Sequence, residues 1–244
     1  MDQRITKLEK ITQDLGAQAL LAEAVKTFDD KIALASSFSI EDQVITHMLL
    51  KLADDVRIFT LDTGRLPQET YDVIDQTRKK YGIKIEMLTP DSAQLTKMLN
   101  DHGPNLFYER IDNRRLCCQV RKVAPLKKKL AQLDAWICGL RSDQSVTRSD
   151  LKRIDWDSSN QLVKILPLAD WTLEQTWEYI RKNDIPYNKL HDMNYPSIGC
   201  APCTRPVKDG ENIRAGRWWW EQPEHKECGL HLSKDKRTDP KETI

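Results

Sequence analysis

Four of the six cysteines come in two tight pairs, Cys117-Cys118 and Cys200-Ala-Pro-Cys203. A C-x-x-C spacing lets two thiolates bind one metal centre, and alone it fits zinc, an iron–sulfur cluster or a redox dithiol. The second pair completes a four-thiolate set. Neighbouring residues on a helical turn point about 100° apart, which is awkward for a single tetrahedral ion. A cubane offers separate irons to the two thiolates, so the pattern predicts a 4Fe–4S cluster on Cys117, Cys118, Cys200 and Cys203. Adjacent cysteines also make a strained disulfide. Buried structural thiols are the plain alternative, and they account poorly for two pairs among so few cysteines.

Cys228 lies outside both pairs, in the segment Lys226-Glu-Cys-Gly-Leu-His231. A nucleophilic cysteine needs thiolate character, access and positive surroundings, which Lys226 and His231 can supply. The competing reading is an unreactive surface cysteine. Cys138, between Trp136-Ile137 and Gly139, reads as a core residue of a strand.

The elements that must position these groups follow from periodicity. Residues 3–29 carry helical spacing of Ile5, Leu8, Ile11, Leu15, Leu20, Leu21 and Val25. Lys31–Ser36 is an apolar run of the kind that forms a buried parallel strand, and a polar turn then leads into a helix near Ile40. The alternation repeats with strand Val56–Leu61, helix Gln68–Tyr81 and strand Ile83–Leu88, the helix punctuated by Pro67 and Gly82. Strands Ala135–Leu140 and Leu162–Leu166 continue it. This predicts an α/β fold with a doubly wound, mostly parallel sheet. Ligands of such sheets sit beyond the carboxyl ends of the strands, where the loops SSFSIED, LDTGRL and GLRSDQS emerge. Past about residue 190 the chain turns irregular and rich in Pro, Gly and Trp, so it reads as an extension ordered by something other than its own core. Three parts are expected: a helical segment over 1–30, an α/β domain over 31–190, and an arm over 191–244.

The 244 residues are 39% hydrophobic and 31% charged, enough for a sizeable core under a charged surface. No apolar run approaches the roughly 18 residues that span a bilayer, and the first residues lack a signal-peptide core, so a cytoplasmic location is expected. A net charge of +1 gives no reason to expect nucleic acid or a membrane surface as partner. An anionic substrate must therefore be held by locally concentrated cations. The N-terminal helical segment leaves room for a homo-oligomer contact. The tryptophans at 218–220 read as packing, anchoring an arm that carries Cys228 over the pocket.

Taken in order, SSFSIED, LDTGRL, CCQVRK, GLRSDQS, SIGCAPCTRPV, GRWWWE and KECGLH resemble the assimilatory adenylyl-sulfate reductases of bacteria, the iron–sulfur branch of their family, over about residues 30 to 231. The related 3′-phosphoadenylyl-sulfate reductases share the fold and the last motif but lack the two cysteine pairs. The resemblance implies a sheet of the adenine nucleotide α-hydrolase-like (PP-loop) type, with the two pairs as ligands of a 4Fe–4S cluster. It implies that Cys228 is the nucleophile, assisted by His231, and that Lys122 stands between cluster and substrate. Ser37, Phe38 and Ser39 would form the phosphate loop; Leu61, Asp62, Thr63 and Gly64 would help to seat adenosine. Gly139, Arg141 and Arg148 would complete the substrate site, and Arg214 and Arg217 would approach the sulfate end. Arg205 is a further candidate for the cationic field.

The implied chemistry is attack by Cys228 on the sulfur of adenylyl sulfate, leaving an S-sulfonate that thioredoxin or glutaredoxin resolves. Cys228 stands 16 residues from the end of the sequence (244 less 228), so the reductant is expected in trans. ATP-using relatives of this fold cradle a pyrophosphate on a glycine-rich loop, whereas Ser-Ser-Phe-Ser-Ile is bulky there, which argues against ATP pyrophosphatase activity. The rival readings are a 3′-phosphoadenylyl-sulfate or dual-substrate reductase, a non-catalytic cluster sensor, and an ATP-dependent enzyme of the same fold.

Overall fold

A computed structural model describes residues 3–53, 55–144 and 151–222. Its centre is one six-stranded sheet in the order β3-β2-β1-β4-β6-β5. The strands are β1 (Ile32–Ala35), β2 (Ile58–Leu61), β3 (Glu86–Leu88), β4 (Ala135–Ile137), β5 (Ile154–Asp157) and β6 (Leu162–Ile165). All neighbours pair in parallel except β5 with β6. From β1 the chain winds outward through β2 to β3, then returns to place β4 on the other side of β1. The carboxyl ends of β1 and β4 therefore flank the switch point, where such sheets open a crevice.

Each central strand is buried on both faces, and its alternate residues enter different cores. Ile32 and Leu34 of β1, Ala135 and Ile137 of β4, and Val163 and Ile165 of β6 share a core with α1 (Gln3–Thr12), α2 (Ala17–Phe28), α3 (Ile40–Leu50) and α8 (Leu173–Lys182). Ala33, Phe59, Trp136 and Leu162 face the other way, onto Leu126 and Leu130 of α7 (Ala124–Leu130). The N-terminal helices thus complete the main core.

Helix α4 (Gln68–Tyr81) runs over the residues predicted, after Pro67 in extended conformation and before Gly82 at φ 64°. The single helix expected over 3–29 is two, because Gly16, extended at ψ 172°, caps the start of α2. The strands are shorter than their apolar runs, whose ends turn into loops. Strand β5 is an element the sequence pattern did not suggest. Its residues Ile-Asp-Trp-Asp pair with β6 across a turn in which Asp157 accepts from the backbone of Ser159 and Asn160. Helix α5 (Ser92–His102) begins at Asp91, whose carboxylate accepts from Gln94 N at 2.9 Å. Helix α6 (Ile111–Cys118) continues through a π turn, Gln119–Val123, into α7.

Over 191–222 the chain makes only short 3₁₀ turns, Lys189–Met193 and Ala201–Cys203, and one isolated bridge between Thr204 and Arg217. A third apolar cluster orders it: Cys117, Cys200, Cys203 and Trp218 with Met98, Leu106, Phe107 and Val120. Among the described residues no helix is long and apolar enough to cross a membrane.

Candidate active site

The loop after β1 turns sharply into α3. Phe38 takes a left-handed φ of 59°, sends its ring into the core against Val73 and Ile74, and leaves the backbone at the switch point. Asp42, one turn into α3, gathers that loop: its Oδ2 accepts from Ser37 N at 2.6 Å, Ser37 Oγ at 2.7 Å and Ser39 Oγ at 3.3 Å. Its other oxygen accepts from Gly139 N, in the loop after β4, at 3.0 Å. One carboxylate therefore ties together the two loops that flank the crevice. The approach is tight enough to require glycine, since a Cβ on Gly139 would lie 2.4 Å from Asp42 Oδ1 and 2.8 Å from Glu41 Cβ.

Burial raises the Asp42 carboxyl to about 6, against the hydrogen bonds from Ser37, with Glu41 adding to the rise and Gly139 opposing it. The folded pKa lies above the ordinary value of 3.8, so the folded protein keeps a proton that the unfolded chain has released between them. This contribution to stability is full below the lower value and is lost as pH rises through the window. The stability of the wild type relative to Asp42→Asn is thus expected to fall by about 2 kcal/mol from pH 4 to pH 7. Urea unfolding of both proteins across that range measures it, and a flat difference would show Asp42 to be unperturbed.

Two connected cavities open at the crevice. The inner one is walled by apolar groups at the ends of β1, β2 and β4, among them Ala35, Leu61, Leu66, Trp136, Cys138 and Leu140. Its dimensions and lining suit a flat heteroaromatic ring. Cys138 belongs to both the core and this wall, and burial pushes its thiol well above the ordinary range. The outer cavity is a cleft of about 530 Å³ that carries the polar groups Ser37, Ser39, Lys122, Arg141, Arg214 and Arg217. Both cavities share Ser37, Lys122 and Gly139. A ligand filling both would have an apolar ring at one end and an anion at the other.

The cations are not equivalent. Arg141 is buried and bonded through Nε to Glu41 at 2.8 Å, and it also pairs with Asp143, so its charge is offset by two carboxylates. Arg205 pairs with Glu211 through both terminal nitrogens, at 2.9 and 3.0 Å, and does not line the cleft. Arg217 is buried against Gly199, where a Cβ would lie 2.4 Å from its Nη2, and donates to Ile198 O at 3.2 Å. Of the five expected cations, Lys122, Arg141, Arg214 and Arg217 line the cleft and Arg205 does not.

Phe38, Asp62, Thr63 and Gly64 line neither cavity. Asp62 accepts from Gly64 N at 2.8 Å and Tyr71 Oη at 2.7 Å, which fixes the turn after β2. Thr63 faces the cysteines: its hydroxyl lies 3.3 Å from Cys200 Sγ, and its carbonyl accepts from Arg121 at 2.6 Å. Arg148, Cys228 and His231 fall outside the described residues.

Cys117 and Cys118 at the end of α6 and Cys200 and Cys203 on the 3₁₀ turn line one small cavity, with Arg65, Arg114, Arg121 and Lys122 around it. The π turn after Cys118 sends Arg121 toward Thr63 while Lys122 lines the inner cavity, the cleft and this one as well. Burial pushes up the thiols of Cys117 and Cys203, the latter to about 12, with Cys200 adding to both rises. Such thiols lose their protons when a metal replaces them. Among the described residues no three His, Cys, Asp or Glu side chains are grouped to hold a metal ion. Four thiols lining one cavity with four cations around it are the donor type that an anionic thiolate centre takes. Trp218 is buried, and Trp220 packs on Tyr108 with ring centroids 4.6 Å apart, so the tryptophan run is largely packing.

Asp42 and Glu41 were not singled out as site residues, nor were Leu66, Trp136 and Ile198. Asp42 has a local signal, a carboxylate five positions after a loop serine; the wall residues have none.

Three comparisons bear on this site. The family model described as phosphoadenosine phosphosulfate reductase domain matches residues 31–206. An adenosine 5′-phosphosulfate reductase of Allochromatium vinosum is 47% identical over 220 residues, covering 90% of this chain and 86% of its own. One from Burkholderia cepacia is 44% identical, covering 91% of each. Among solved structures, a phosphoadenylyl-sulfate reductase from Candida auris in complex with phosphate superposes with a TM-score of 0.72 at 28% identity, over 85% of this chain and 98% of that one. The FMN adenylyltransferase of Candida glabrata with FAD and pyrophosphate shares the fold alone, with a TM-score of 0.56 at 13% identity over 98% of this chain and 80% of its own.

Proposed function

Because the chain belongs to the phosphoadenosine phosphosulfate reductase domain family, we propose that it reduces adenylyl sulfate to sulfite and AMP, with Cys228 as the nucleophile. The observation that carries this most directly is the junction at Lys122, which lines an apolar ring slot, an anion cleft and a four-thiol cavity together. The nearby relatives named for adenosine 5′-phosphosulfate favour that nucleotide over its 3′-phosphorylated form.

The adenine would occupy the slot bounded by Leu61, Leu66 and Trp136, and the phosphosulfate the cleft beside Ser39, Lys122, Arg214 and Arg217. The Cys228 thiolate attacks sulfur, an S–S bond forms, and the S–O bond to phosphate breaks with its electron pair leaving on AMP. A dithiol protein, thioredoxin or glutaredoxin, then attacks Cys228 Sγ and releases sulfite with the S–S pair. Its second thiol displaces Cys228 from the mixed disulfide, so the dithiol is oxidised by two electrons as sulfate sulfur becomes sulfite sulfur. Thiolate and substrate are both anionic, and Lys122, Arg214 and Arg217 would offset their repulsion. Cys117, Cys118, Cys200 and Cys203 would hold a 4Fe–4S cluster, which would cross-link α6 to the later chain and set the local potential around Lys122. The arm over 191–244 would then bring Cys228 to the cleft.

Intact mass spectrometry after incubation with adenylyl sulfate and no reductant tests this. One SO₃ unit should appear on Cys228 and vanish with reduced thioredoxin. No adduct on iron-replete protein would sink the assignment. An adduct formed only with the 3′-phosphorylated nucleotide would move it to that substrate.

A further inference from the structure

The four-thiol cavity has a second neighbour besides the slot and the cleft. A groove of about 540 Å³ lies beside α5, walled by Leu95, Leu99 and Pro104, and it shares Arg65, Arg121 and Pro202 with the cysteine cavity. Lys122, which joins that cavity to the slot and the cleft, does not line the groove. The thiols therefore have two sides, one toward the nucleotide site and one toward the groove. They are shielded from both, since Cys117, Cys200 and Cys203 are each 8% exposed.

Of the three shared residues only Arg65 can swing aside. Arg121 is buried and donates to Thr63 O at 2.6 Å, and the ring of Pro202 has no side-chain torsion to turn. The half-buried Arg65 reaches across to Asn105 Oδ1 at 3.4 Å and to Pro104 O, and its guanidinium lies 5.2 Å from the Phe107 ring centroid. Contacts of these kinds to neutral groups at a partly exposed position are individually modest. Its backbone is held separately, because Arg65 O accepts from Ala201 N at 2.8 Å in the turn between Cys200 and Cys203. The side chain can thus rotate away without moving the segment that carries those thiols. Two guanidiniums at its inner end suit the groove to an anion, and an iron–sulfur cluster ligated by four thiolates is one.

We propose that this groove is an exchange site: a 4Fe–4S cluster carried on small thiolates enters there and passes to the four cysteines, and Arg65 is the side chain that closes the route. This rests on the four cysteines holding such a cluster. In each exchange a cysteine thiol gives its proton to a leaving thiolate, as one Fe–S bond forms and another breaks. The cluster is transferred with no change in its electron count, and the same steps reversed release it to added thiol.

The reverse direction tests the site on the holoprotein. Excess benzenethiol, without oxygen, draws out the cluster as its thiolate complex, and visible absorption follows the release. Arg65→Ala is expected to release it about tenfold faster, and Leu95→Trp about threefold more slowly, since Leu95 lines the groove and not the cysteine cavity. Slowing is the informative sign, because damage to the fold speeds cluster loss. Saturating AMP, which would fill the slot and the cleft, should change the rate less than about twofold. A larger slowing by AMP would place the route on the nucleotide side and overturn the inference. An unchanged rate in Arg65→Ala, an equal or faster one in Leu95→Trp, or a rate independent of thiol concentration would overturn it too. Iron and sulfide analysis of the starting protein separates the two claims. A full cluster with those contrary rates rejects the exchange site alone, whereas a chain that carries no cluster rejects the reading beneath it and the site together.

Discussion

Cys228→Ser is expected to abolish sulfite formation, with turnover below about one part in ten thousand of wild type. A hydroxyl is a far weaker nucleophile than a thiolate near neutrality, and no other cysteine can replace it. Cys138 is buried with its thiol pushed well up, Cys117 and Cys203 are buried with raised thiols, and Cys118 and Cys200 line the same cavity as those two. The variant should match the wild type in iron content and bind adenylyl sulfate within about twofold of it, because the described residues that line the ring slot and the cleft are unchanged. Sulfite release, iron content and nucleotide binding measured together decide the matter. Residual turnover above about one per cent would mean that another group performs the attack.

Lys122→Ala should lower kcat/KM by about 10²–10³, the cost of removing one charged donor from a site where negative charges would meet. The geometric reason is that Lys122 lines the slot, the cleft and the cysteine cavity, while Arg141 is already offset by Glu41 and Asp143. Lys122→Arg should recover part of the loss, since charge is kept but the fork of a guanidinium does not match a point charge. Iron content should not change. A fall confined to KM and smaller than about threefold would make Lys122 an ordinary cleft residue and transfer its role to Arg214 or Arg217.

Much of this architecture is legible locally. Helix α4 runs over the residues that Pro67, Gly82 and the periodicity between them mark, because caps and amphipathic spacing are short-range. The inner parallel strands β1, β2, β4 and β6 are recognisable as apolar runs because both their faces are largely buried. Strand β5 escaped because an antiparallel edge strand with one exposed face, Ile-Asp-Trp-Asp, has no such run. Motif position does not tell which cavity each residue of a loop lines. Leu61, Asp62, Thr63 and Gly64 were expected near the adenosine; of these Leu61 lines the slot, and Thr63 lies 3.3 Å from Cys200 Sγ.

The sequence by itself determined the two cysteine pairs, the isolated Cys228, the bulky phosphate loop and the doubly wound sheet, all of which depend on residue type within a short window. Only the tertiary structure decided which carboxylates the site's charges meet. Arg141 is offset by a carboxylate 100 positions away, Asp42 ties to Gly139 across 97, and Arg114 finds Glu221 across 107. Charge pairing depends on which surfaces the packed elements press together, and no spacing along the chain records that. The same holds for Lys122: its place at the meeting of three cavities follows from the π turn after Cys118 and from the way α6 and the 3₁₀ turn of Cys203 are drawn into one cluster around the thiols.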